Sequence, residues 1–589
     1  MNPIAQLSTA TTLSAQRAFV AERTGSVAEQ GRGSFWKLVM LVVFLYLVTS
    51  GLTGAFFMGD TVDYAASVAA RARGTDLYFW DFGHLIWRPL GWLVFRLLSP
   101  VSSRFLGPDV TLNVLVVLIG LSWVGGLVSV VALSWVTFRY TQRTLLTFAV
   151  VVSLLFSNSF LNFTRTGCSY ILGLCCLITG LCALNSDRAE HGGVMALGGG
   201  VALAGAVCLW INYLLAIPAV LASRLFLSDA NTRSRRVVML ASIGFASSLI
   251  LAYGIVIYGL GFRDLGSLEK WIVWASHGNQ TRGLLRMVFG FPRSLINMGN
   301  DGMLFRRFIF HDSYNPVSFG ELVRVSLLKL GLFYLFVGSV LVGLRRSLPG
   351  RKMLVLLLLN CLPVLAFAVM YDGGAIERYL ALFPVALLVL GIAFSNGELR
   401  LPQKILAIVL IALEIVAAAG AMSRVVLARK QEREVARIRD LVPLLKPGSR
   451  VIVPVWQDEL QTFSWNFPLN PMNRQTPLRV SSVITPGMED TPLWREGFAS
   501  SVLSTWEKRQ GEIWVSKRLL SSRPQADWNW VEGADPRVHW VELPDYFHQY
   551  DYAAEVGGED GFVLLSHSAR NTRLLTAFVN QKSGESARK

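Results

Sequence analysis

The sequence predicts a polytopic α-helical membrane protein of about 11 spans, followed by a C-terminal soluble domain of α/β or α+β type. Of its 589 residues, 53% are hydrophobic and only 16% are charged, and the mean hydropathy is +0.46. Soluble domains average about 25% charged residues, so the composition excludes an ordinary soluble protein. The formal net charge of +16 is typical of a polytopic protein with basic cytoplasmic loops, and we expect no nucleic-acid partner.

The spans follow a polar N-terminal segment, residues 1–35, which predicts a cytoplasmic tail because it lacks the short apolar core of a signal peptide. A span needs roughly 17–25 apolar residues. The candidate spans are 36–57, 110–137, 144–161, 168–184, 193–209, 212–227, 237–262, 323–343, 353–370, 380–395 and 405–422. Together, residues 36–422 form the predicted transmembrane domain.

The stretch 193–227 is compatible with one long helix or with two short ones that meet near "WINY". Two helices place the basic clusters Arg233–Arg236 and Arg345–Lys352 on the same side as the N-terminal tail. The positive-inside rule favours that arrangement. The sequence therefore predicts a cytoplasmic N-terminus and an exported C-terminus, in what we expect to be a bacterial inner (plasma) membrane.

Three polar segments are predicted on the outer side: 58–109, 263–322 and the tail 423–589. Within the second, residues 268–299 have the pattern of amphipathic helices that lie at the membrane surface. The tail begins with a charged helix over 428–448. Its strand-like runs are "SRVIVPV" (449–455), "GEIWVSK" (511–517), "RVHWVEL" (537–543) and "GFVLLSH" (561–567).

Charged and aromatic residues collect on the predicted outer face. Asp60 and Asp63 directly follow the first span, and three residues apart on a helix they share one face. The other candidates are His84 and Arg88 in the same outer segment, Arg165 and Tyr170 in a short loop, and Asp372, Glu377, Arg378 and Tyr379 in another. A transporter more often places such groups within its spans, where this chain has Glu414.

This set of residues suits sugar transfer from a lipid phosphate. The phosphate leaves as a stable anion, so arginines that hold it are sufficient and no general acid is needed. The acceptor hydroxyl must lose its proton as it attacks, so one carboxylate serves as general base. Glycoside hydrolysis differs, because an alcohol leaves and a pair of carboxylates is required.

The acidic pair after the first span, the "H-x4-P-L" stretch and the late "ERYLALFP" resemble the GT-C superfamily of membrane glycosyltransferases. The nearest branch resembles protein O-mannosyltransferases and aminoarabinose transferases of lipid A. This resemblance covers residues 1–425 and implies an inverting transferase with Asp60 as base and Asp63 as second candidate. It also implies that Arg378 binds the lipid phosphate, with Arg88 and Arg165 behind it.

Two features depart from the family pattern. The acids are spaced as "GDTVD" rather than as a tighter Asp-Glu pair, and "TRTGCSY" stands where related bacterial members often have a carboxylate. The expected substrate-binding set is Arg378, Glu377, Tyr379, His84, Arg88 and Arg165. We expect no cofactor or metal, although a divalent cation stays open, and the expected partners are a polyprenyl-phosphate sugar, a lipid, glycan or protein acceptor, and membrane lipids.

Structural roles compete for several of these residues. Asp60 is well placed as a helix N-cap with Asp63 at the third helical position. His84 and Arg88 have the spacing of a solvated helix face, and Arg378 with Tyr379 has the pattern of a headgroup anchor. Two other functions also remain: a transporter or flippase of a lipid-linked sugar, and a non-catalytic assembly protein that tolerates changes at Asp60 and Arg378.

Overall fold

The structure is a computed structural model. It describes residues 33–55, 60–72, 79–186, 193–227, 232–275, 283–298, 303–309, 317–446, 448–455, 480–484, 493–509, 511–521 and 542–586.

Long apolar helices dominate the described part of the chain. Seven are long and apolar enough to cross a membrane: Gly33–Leu52, Val110–Thr141, Thr232–Gly259, Phe319–Leu344, Leu348–Met370, Ile376–Ser395 and Leu401–Met422. Four shorter apolar helices are Thr144–Phe156, Tyr170–Leu184, Gly193–Leu209 and Ile211–Leu227. Each of the predicted apolar stretches therefore corresponds to a helix. The number of helices that cross the membrane stays a prediction.

The stretch 193–227 forms two helical segments that meet at Trp210. The helix Gly193–Leu209 ends there, and a 3-10 turn, Ile211–Ala216, leads into the helix Ile217–Leu227. The amide of Ile211 leaves the helical pattern and donates to the carbonyl oxygen of Gly83 over 3.0 Å. The helix is therefore interrupted at "WINY", where the Ile211 amide pairs with the segment that follows Trp80 instead of with the preceding helical turn.

The first predicted outer segment contains two helices, Thr61–Ala72 and Trp87–Leu106. The second contains Leu265–Ala275, Leu284–Leu295 and Met303–Ile309. The amphipathic helices predicted over 268–299 are thus confirmed in Leu265–Ala275 and Leu284–Leu295, while residues 276–282 lie outside the described residues.

One close backbone approach fixes the helix Leu284–Leu295 against the turn that precedes Ile376. A Cβ atom on Gly290 would lie 1.8 Å from the carbonyl oxygen of Gly373, so only glycine fits there. Tyr379, fully buried, donates its hydroxyl to that same carbonyl oxygen over 2.6 Å. These contacts hold the turn from Tyr371 to Ile376 in place.

The C-terminal region begins with the charged helix Arg424–Ile438, and its sheet has the strand order β2-β1-β3-β5-β4. The strands are β1 Arg450–Val455, β2 Val480–Ile484, β3 Ile513–Ser516, β4 Tyr552–Val556 and β5 Phe562–Leu565. β1 pairs in parallel with β2 and β3, whereas β5 pairs antiparallel with β3 and β4. The helices Leu493–Arg509 and Ala569–Ser586 pack with the sheet around one apolar core.

Three of the predicted strands are confirmed as β1, β3 and β5. The predicted strand over 537–543 lies largely outside the described residues, and its last two residues, Glu542 and Leu543, begin the helix Glu542–Phe547 instead. β2 and β4 were not predicted. The sequence of β4, "YAAEV", has little of the β-branched and aromatic content that marks a strand.

Candidate functional site

Several chain segments meet at one end of the helical bundle, which we call the site face. It comprises residues 53–55, Asp60, 79–86, 157–169, 209–212, 371–378 and 422–424. Hydrogen bonds join these segments: Asn212 donates to the carbonyl oxygen of Arg378 over 2.9 Å, and Ser159 donates to that of Ile376 over 3.0 Å. Thr53 and Ser423 form a β-bridge. Several of the polar residues singled out from the sequence are thus brought to the same end of the bundle.

Asp60 immediately precedes the helix Thr61–Ala72, and its carbonyl oxygen accepts the amide of Tyr64 over 3.0 Å. The predicted N-cap position is confirmed. Its carboxylate is exposed, and Oδ2 lies 3.4 Å from the hydroxyl of Tyr64, which donates to it. Burial raises the pKa of that hydroxyl, so Tyr64 stays protonated and able to donate. Asp60 is therefore both a helix terminus and an accessible carboxylate.

Asp63 lies at the third position of the same helix and is exposed. Its carbonyl oxygen accepts the Ser67 hydroxyl over 2.9 Å. An acidic side chain here also interacts favourably with the helix dipole.

Arg88 forms a buried ion pair with Asp81, a residue that the sequence analysis did not select. Arg88 Nη1 lies 3.0 Å from Asp81 Oδ2, and the two side chains are 5% and 1% exposed. Burial alone would raise the pKa of the Asp81 carboxyl, but the charges beside it, including Arg88, hold that pKa below its ordinary value. The alternative of a solvated face for His84 and Arg88 is therefore wrong.

His84 is buried beside this pair. Its Nδ1 lies 3.0 Å from the carbonyl oxygen of Leu209 and 2.8 Å from the Ser169 hydroxyl. A carbonyl oxygen can only accept, so the ring carries its proton on Nδ1. Burial lowers the pKa of His84. The imidazole is therefore neutral, and its hydrogen bonds join residues 79–86 to Ser169 and Leu209.

A row of aromatic rings, which we call the aromatic wall, consists of Tyr64, His84, Tyr170 and Trp210. Neighbouring ring centroids are 5.5, 5.8 and 4.7 Å apart in that order. Two guanidinium groups cap its ends: Arg88 lies 4.8 Å from the Tyr64 ring, and Arg378 lies 5.9 Å from the Trp210 ring. The wall fixes the separation between the Asp60 side of the site face and the Arg378 side.

Arg378 is surrounded by rings rather than by carboxylates. Its guanidinium lies 4.5 Å from the ring centroid of Tyr371 and 5.8 Å from that of Phe367. Nε is buried without a hydrogen-bond partner, and within the described residues no carboxylate lies within 4.0 Å of the side chain. A guanidinium with an unused donor and no counter-ion is suited to an anionic ligand.

The charges of Arg378 and Asp60 both act on the hydroxyl of Tyr371. Burial raises the pKa of the Tyr371 hydroxyl, Arg378 opposes that rise through its charge and a hydrogen bond, and the carboxylates of Asp372 and, to a smaller extent, Asp60 add to it. Both charged groups therefore lie close to the same tyrosine. Their roles as base and phosphate ligand stay predictions.

Arg165 has further unused donors. Nη1 donates to Thr164 Oγ1 over 3.1 Å, whereas Nε and Nη2 are buried without partners in the described part of the chain. Burial lowers the pKa of Arg165. Tyr46, whose ring centroid lies 5.6 Å from the guanidinium, opposes that fall, and the nearby charge of Arg424 adds to it. Arg424, at the start of the charged helix, is a second basic residue here that the sequence analysis did not select.

Glu377 and Tyr379 flank Arg378 in the 3-10 turn Ile376–Leu382. Glu377 is half-buried, and its charge interacts with those of Arg378 and Asp60. The buried Tyr379 stacks on Phe291 at 5.5 Å. For Tyr379 the predicted headgroup anchor is wrong, because the ring belongs to the core that supports Arg378.

The second outer segment contributes two arginines beside this turn. Arg286 lies 3.9 Å from Asp372, and Arg293 donates to the carbonyl oxygen of Gly374 over 3.4 Å. Among the described residues, no group of three or more His, Cys, Asp or Glu side chains is arranged to hold a metal ion. Independence from a metal stays a prediction.

The apolar helices make this an integral membrane protein, with its candidate site at one end of the bundle. No family model matches the chain, and no curated protein sequence matches it.

Among solved structures, the chain is similar to ArnT from Cupriavidus metallidurans bound to undecaprenyl phosphate, with a TM-score of 0.46. The two sequences are 10% identical, and the match covers 91% of this chain and 98% of ArnT. The apo state of that protein gives a TM-score of 0.47 at the same identity and coverage. An oligosaccharyltransferase from Archaeoglobus fulgidus, in complex with Zn and sulfate, gives 0.38 at 10% identity, covering 90% of this chain and 73% of that one. Because these TM-scores lie below 0.5, we derive the function from the geometry of the site.

Proposed function

We propose that this protein is a glycosyltransferase that moves a sugar from a polyprenyl-phosphate donor to an acceptor hydroxyl at the site face. The acceptor oxygen forms a bond to the anomeric carbon of the sugar while the bond from that carbon to the phosphate oxygen breaks. The acceptor proton passes to a carboxylate, and the polyprenyl phosphate leaves as an anion. One displacement of this kind inverts the anomeric configuration.

The main support is that Arg378 lies 4.5 Å from the Tyr371 ring and that the Asp60 carboxylate acts electrostatically on the same tyrosine. In an in-line displacement, the leaving phosphate and the general base lie on opposite sides of the reacting carbon, a few ångströms from it. The site must therefore provide a cation for the phosphate and a carboxylate for the acceptor proton. Arg378 has a buried donor without a partner, and Asp60 is an exposed carboxylate. This pair provides the two groups that the reaction needs.

Asp60 is the proposed base, with Asp63 as the second candidate. The hydroxyl of Tyr64 lies 3.4 Å from Asp60 Oδ2, so it orients one oxygen and leaves the other for the acceptor hydroxyl. Asp63 lies three residues further along the same helix and is also exposed.

Arg378 and Arg165 are the proposed phosphate ligands, because both have unused guanidinium donors. Arg88 has a different proposed role. Its pairing with Asp81 and its position over Tyr64 make it a positioning residue for the base, together with His84. Glu377 and Tyr379 keep the Arg378 turn in shape and, in the case of Glu377, offer a carboxylate to sugar hydroxyls.

The proposed location is the outer leaflet of a bacterial inner membrane, with the region 423–589 exported. Its mixed sheet is joined to the site face by the helix Arg424–Ile438. We propose that this domain recognises the acceptor, which is a lipid, a glycan or a protein. A transporter or flippase of a lipid-linked sugar is the alternative, and it needs no base at Asp60.

The test is sugar transfer by the full-length protein in membranes, with radiolabelled polyprenyl-phosphate sugars and a mixed cell-envelope extract as acceptor. Wild type is compared with Asp60→Asn, Asp63→Asn and Arg378→Ala, and donor binding is measured on the same preparations. We expect Asp60→Asn to bind donor but to lose about 10²–10⁴-fold in transfer rate. Arg378→Ala should lose donor binding.

Normal transfer by Asp60→Asn together with loss in Asp63→Asn would reassign the base. Movement of the donor across the bilayer without transfer in any preparation would establish the transporter alternative.

A further inference from the structure

A cavity lies among the membrane helices and extends from the face opposite to the site face into the bundle. Its volume is about 490 Å³ and its walls are predominantly apolar. Arg143 and Lys404 line one end, and Leu295 and Ile296 line the other. Arg143 precedes the helix Thr144–Phe156 and Lys404 lies in the first turn of Leu401–Met422, so the basic end is at the face opposite to the site face.

The cavity opens sideways toward the bilayer. Leu145 and Ile408 belong to its lining, yet they are 82% and 66% exposed. Apolar residues exposed on a membrane helix contact lipid, so a molecule can enter the cavity from the hydrocarbon layer without crossing a polar surface.

Glu414 marks the middle of the cavity wall. It is 4% exposed, its Oε1 accepts the Ser153 hydroxyl over 3.3 Å, and its Oε2 is buried without a partner among the described residues. Glu414 follows Lys404 by ten residues on one helix, which corresponds to about 15 Å. That distance equals half of a hydrocarbon layer of about 30 Å.

We propose that this cavity binds an anionic glycerophospholipid from the leaflet opposite to the site face. Its phosphate pairs with Arg143 and Lys404 at the mouth, and one acyl chain lies along the apolar walls as far as Glu414. The charge at the mouth selects an anionic headgroup, and the 15 Å depth corresponds to the length of one leaflet. A volume of this size is within the usual range of ligand pockets, about 300–1,000 Å³.

The proposal is independent of the proposed transferase activity. The full-length protein is reconstituted in nanodiscs of phosphatidylcholine alone or with phosphatidylglycerol, and treated with dicyclohexylcarbodiimide, an apolar reagent that adds to carboxyl groups. Labelling of Glu414 is quantified by peptide mass spectrometry, with Glu414→Gln to identify the labelled peptide. Three proteins are compared: wild type, the double variant Arg143→Gln/Lys404→Gln, and the matched double variant Arg345→Gln/Arg346→Gln.

We expect phosphatidylglycerol to reduce labelling of Glu414 several-fold in wild type, because the bound lipid occupies the cavity. The same reduction is expected in Arg345→Gln/Arg346→Gln, because these two exposed arginines lie on the same face as Arg143 and Lys404 but outside the cavity. The reduction should disappear in Arg143→Gln/Lys404→Gln, and phosphatidylglycerol co-purified with that variant should fall. Equal labelling in both lipid mixtures would overturn the proposal. Protection by undecaprenyl phosphate in phosphatidylcholine, unaffected by the Arg143 and Lys404 changes, would instead assign the cavity to the tail of the donor.

Discussion

Arg88 donates a hydrogen bond from Nη1 to Oδ2 of Asp81 over 3.0 Å, and both side chains are buried. The same guanidinium lies 4.8 Å from the ring of Tyr64, whose hydroxyl contacts the proposed base Asp60. A buried ion pair thus supports the position of an exposed carboxylate.

Breaking this pair should strongly destabilise the protein. Asp81→Asn leaves Arg88 buried without its counter-ion, and the expected loss is about 3–5 kcal/mol, measured as a lower Tm in detergent. Asp440→Asn, at an exposed aspartate, is the matched control and should leave Tm unchanged. The double variant Asp81→Leu/Arg88→Met should recover most of the stability, because it removes both charges; if Tm stays low in the double variant, packing rather than charge explains the effect.

Stability should fall on acidification because of His84. Its pKa in the folded protein is lowered by burial, so between that value and about 6.5 the unfolded chain binds more protons than the folded chain. Tm should therefore decrease as the pH falls below about 6.5. His84→Gln should show a smaller decrease than wild type over the same range, whereas His567→Gln, an exposed histidine, should match wild type. Identical pH profiles for all three proteins would contradict this assignment.

Removing the hydroxyl of Tyr64 should slow transfer without preventing donor binding. Tyr64→Phe keeps the ring under Arg88 but deletes a hydrogen bond to Asp60, worth about 1 kcal/mol and hence roughly 5-fold in rate. The measurement is the transfer rate at saturating donor. Tyr258→Phe, at a 90% exposed tyrosine, serves as the control. A transfer rate for Tyr64→Phe equal to that of wild type would show that the Tyr64 hydroxyl has no part in the reaction.

Replacing either proposed phosphate ligand by lysine should weaken donor binding by roughly 10–100-fold, since a charge-assisted hydrogen bond contributes about 1.5–3 kcal/mol. Arg378→Lys and Arg165→Lys keep the charge but remove the fork of donors. Binding of labelled donor is the direct measurement. Arg345→Lys is the control at a remote, exposed arginine, and undiminished binding in both test variants would mean that the phosphate is held elsewhere.

Gly290→Ala should destabilise the Arg378 turn, because the added methyl would lie 1.8 Å from the carbonyl oxygen of Gly373. The expected cost is about 1–3 kcal/mol, with reduced donor binding. Gly331→Ala is the matched control, because its methyl meets nothing within 4 Å and alanine favours a helix. A Tm for Gly290→Ala equal to that of wild type would show that the turn can shift without cost.

The sequence by itself determined the membrane class, the apolar helices and three strands of the C-terminal sheet, and it favoured a break at "WINY" over one long helix. These follow from hydrophobic periodicity and length, which are local properties of the chain. It also selected Asp60, Asp63, Arg165 and Arg378, because charged residues at the ends of apolar runs are visible in one dimension.

Only the tertiary structure decided how those residues divide their roles. The ion pair of Arg88 with Asp81, the aromatic wall that includes Trp210, and the position of Arg424 beside Arg165 join segments far apart in sequence. Whether an arginine keeps its donors for a ligand depends on which carboxylates and carbonyl oxygens the fold places within hydrogen-bond distance. Residue type and spacing do not encode that distance, because it is set by the packing of helices against one another.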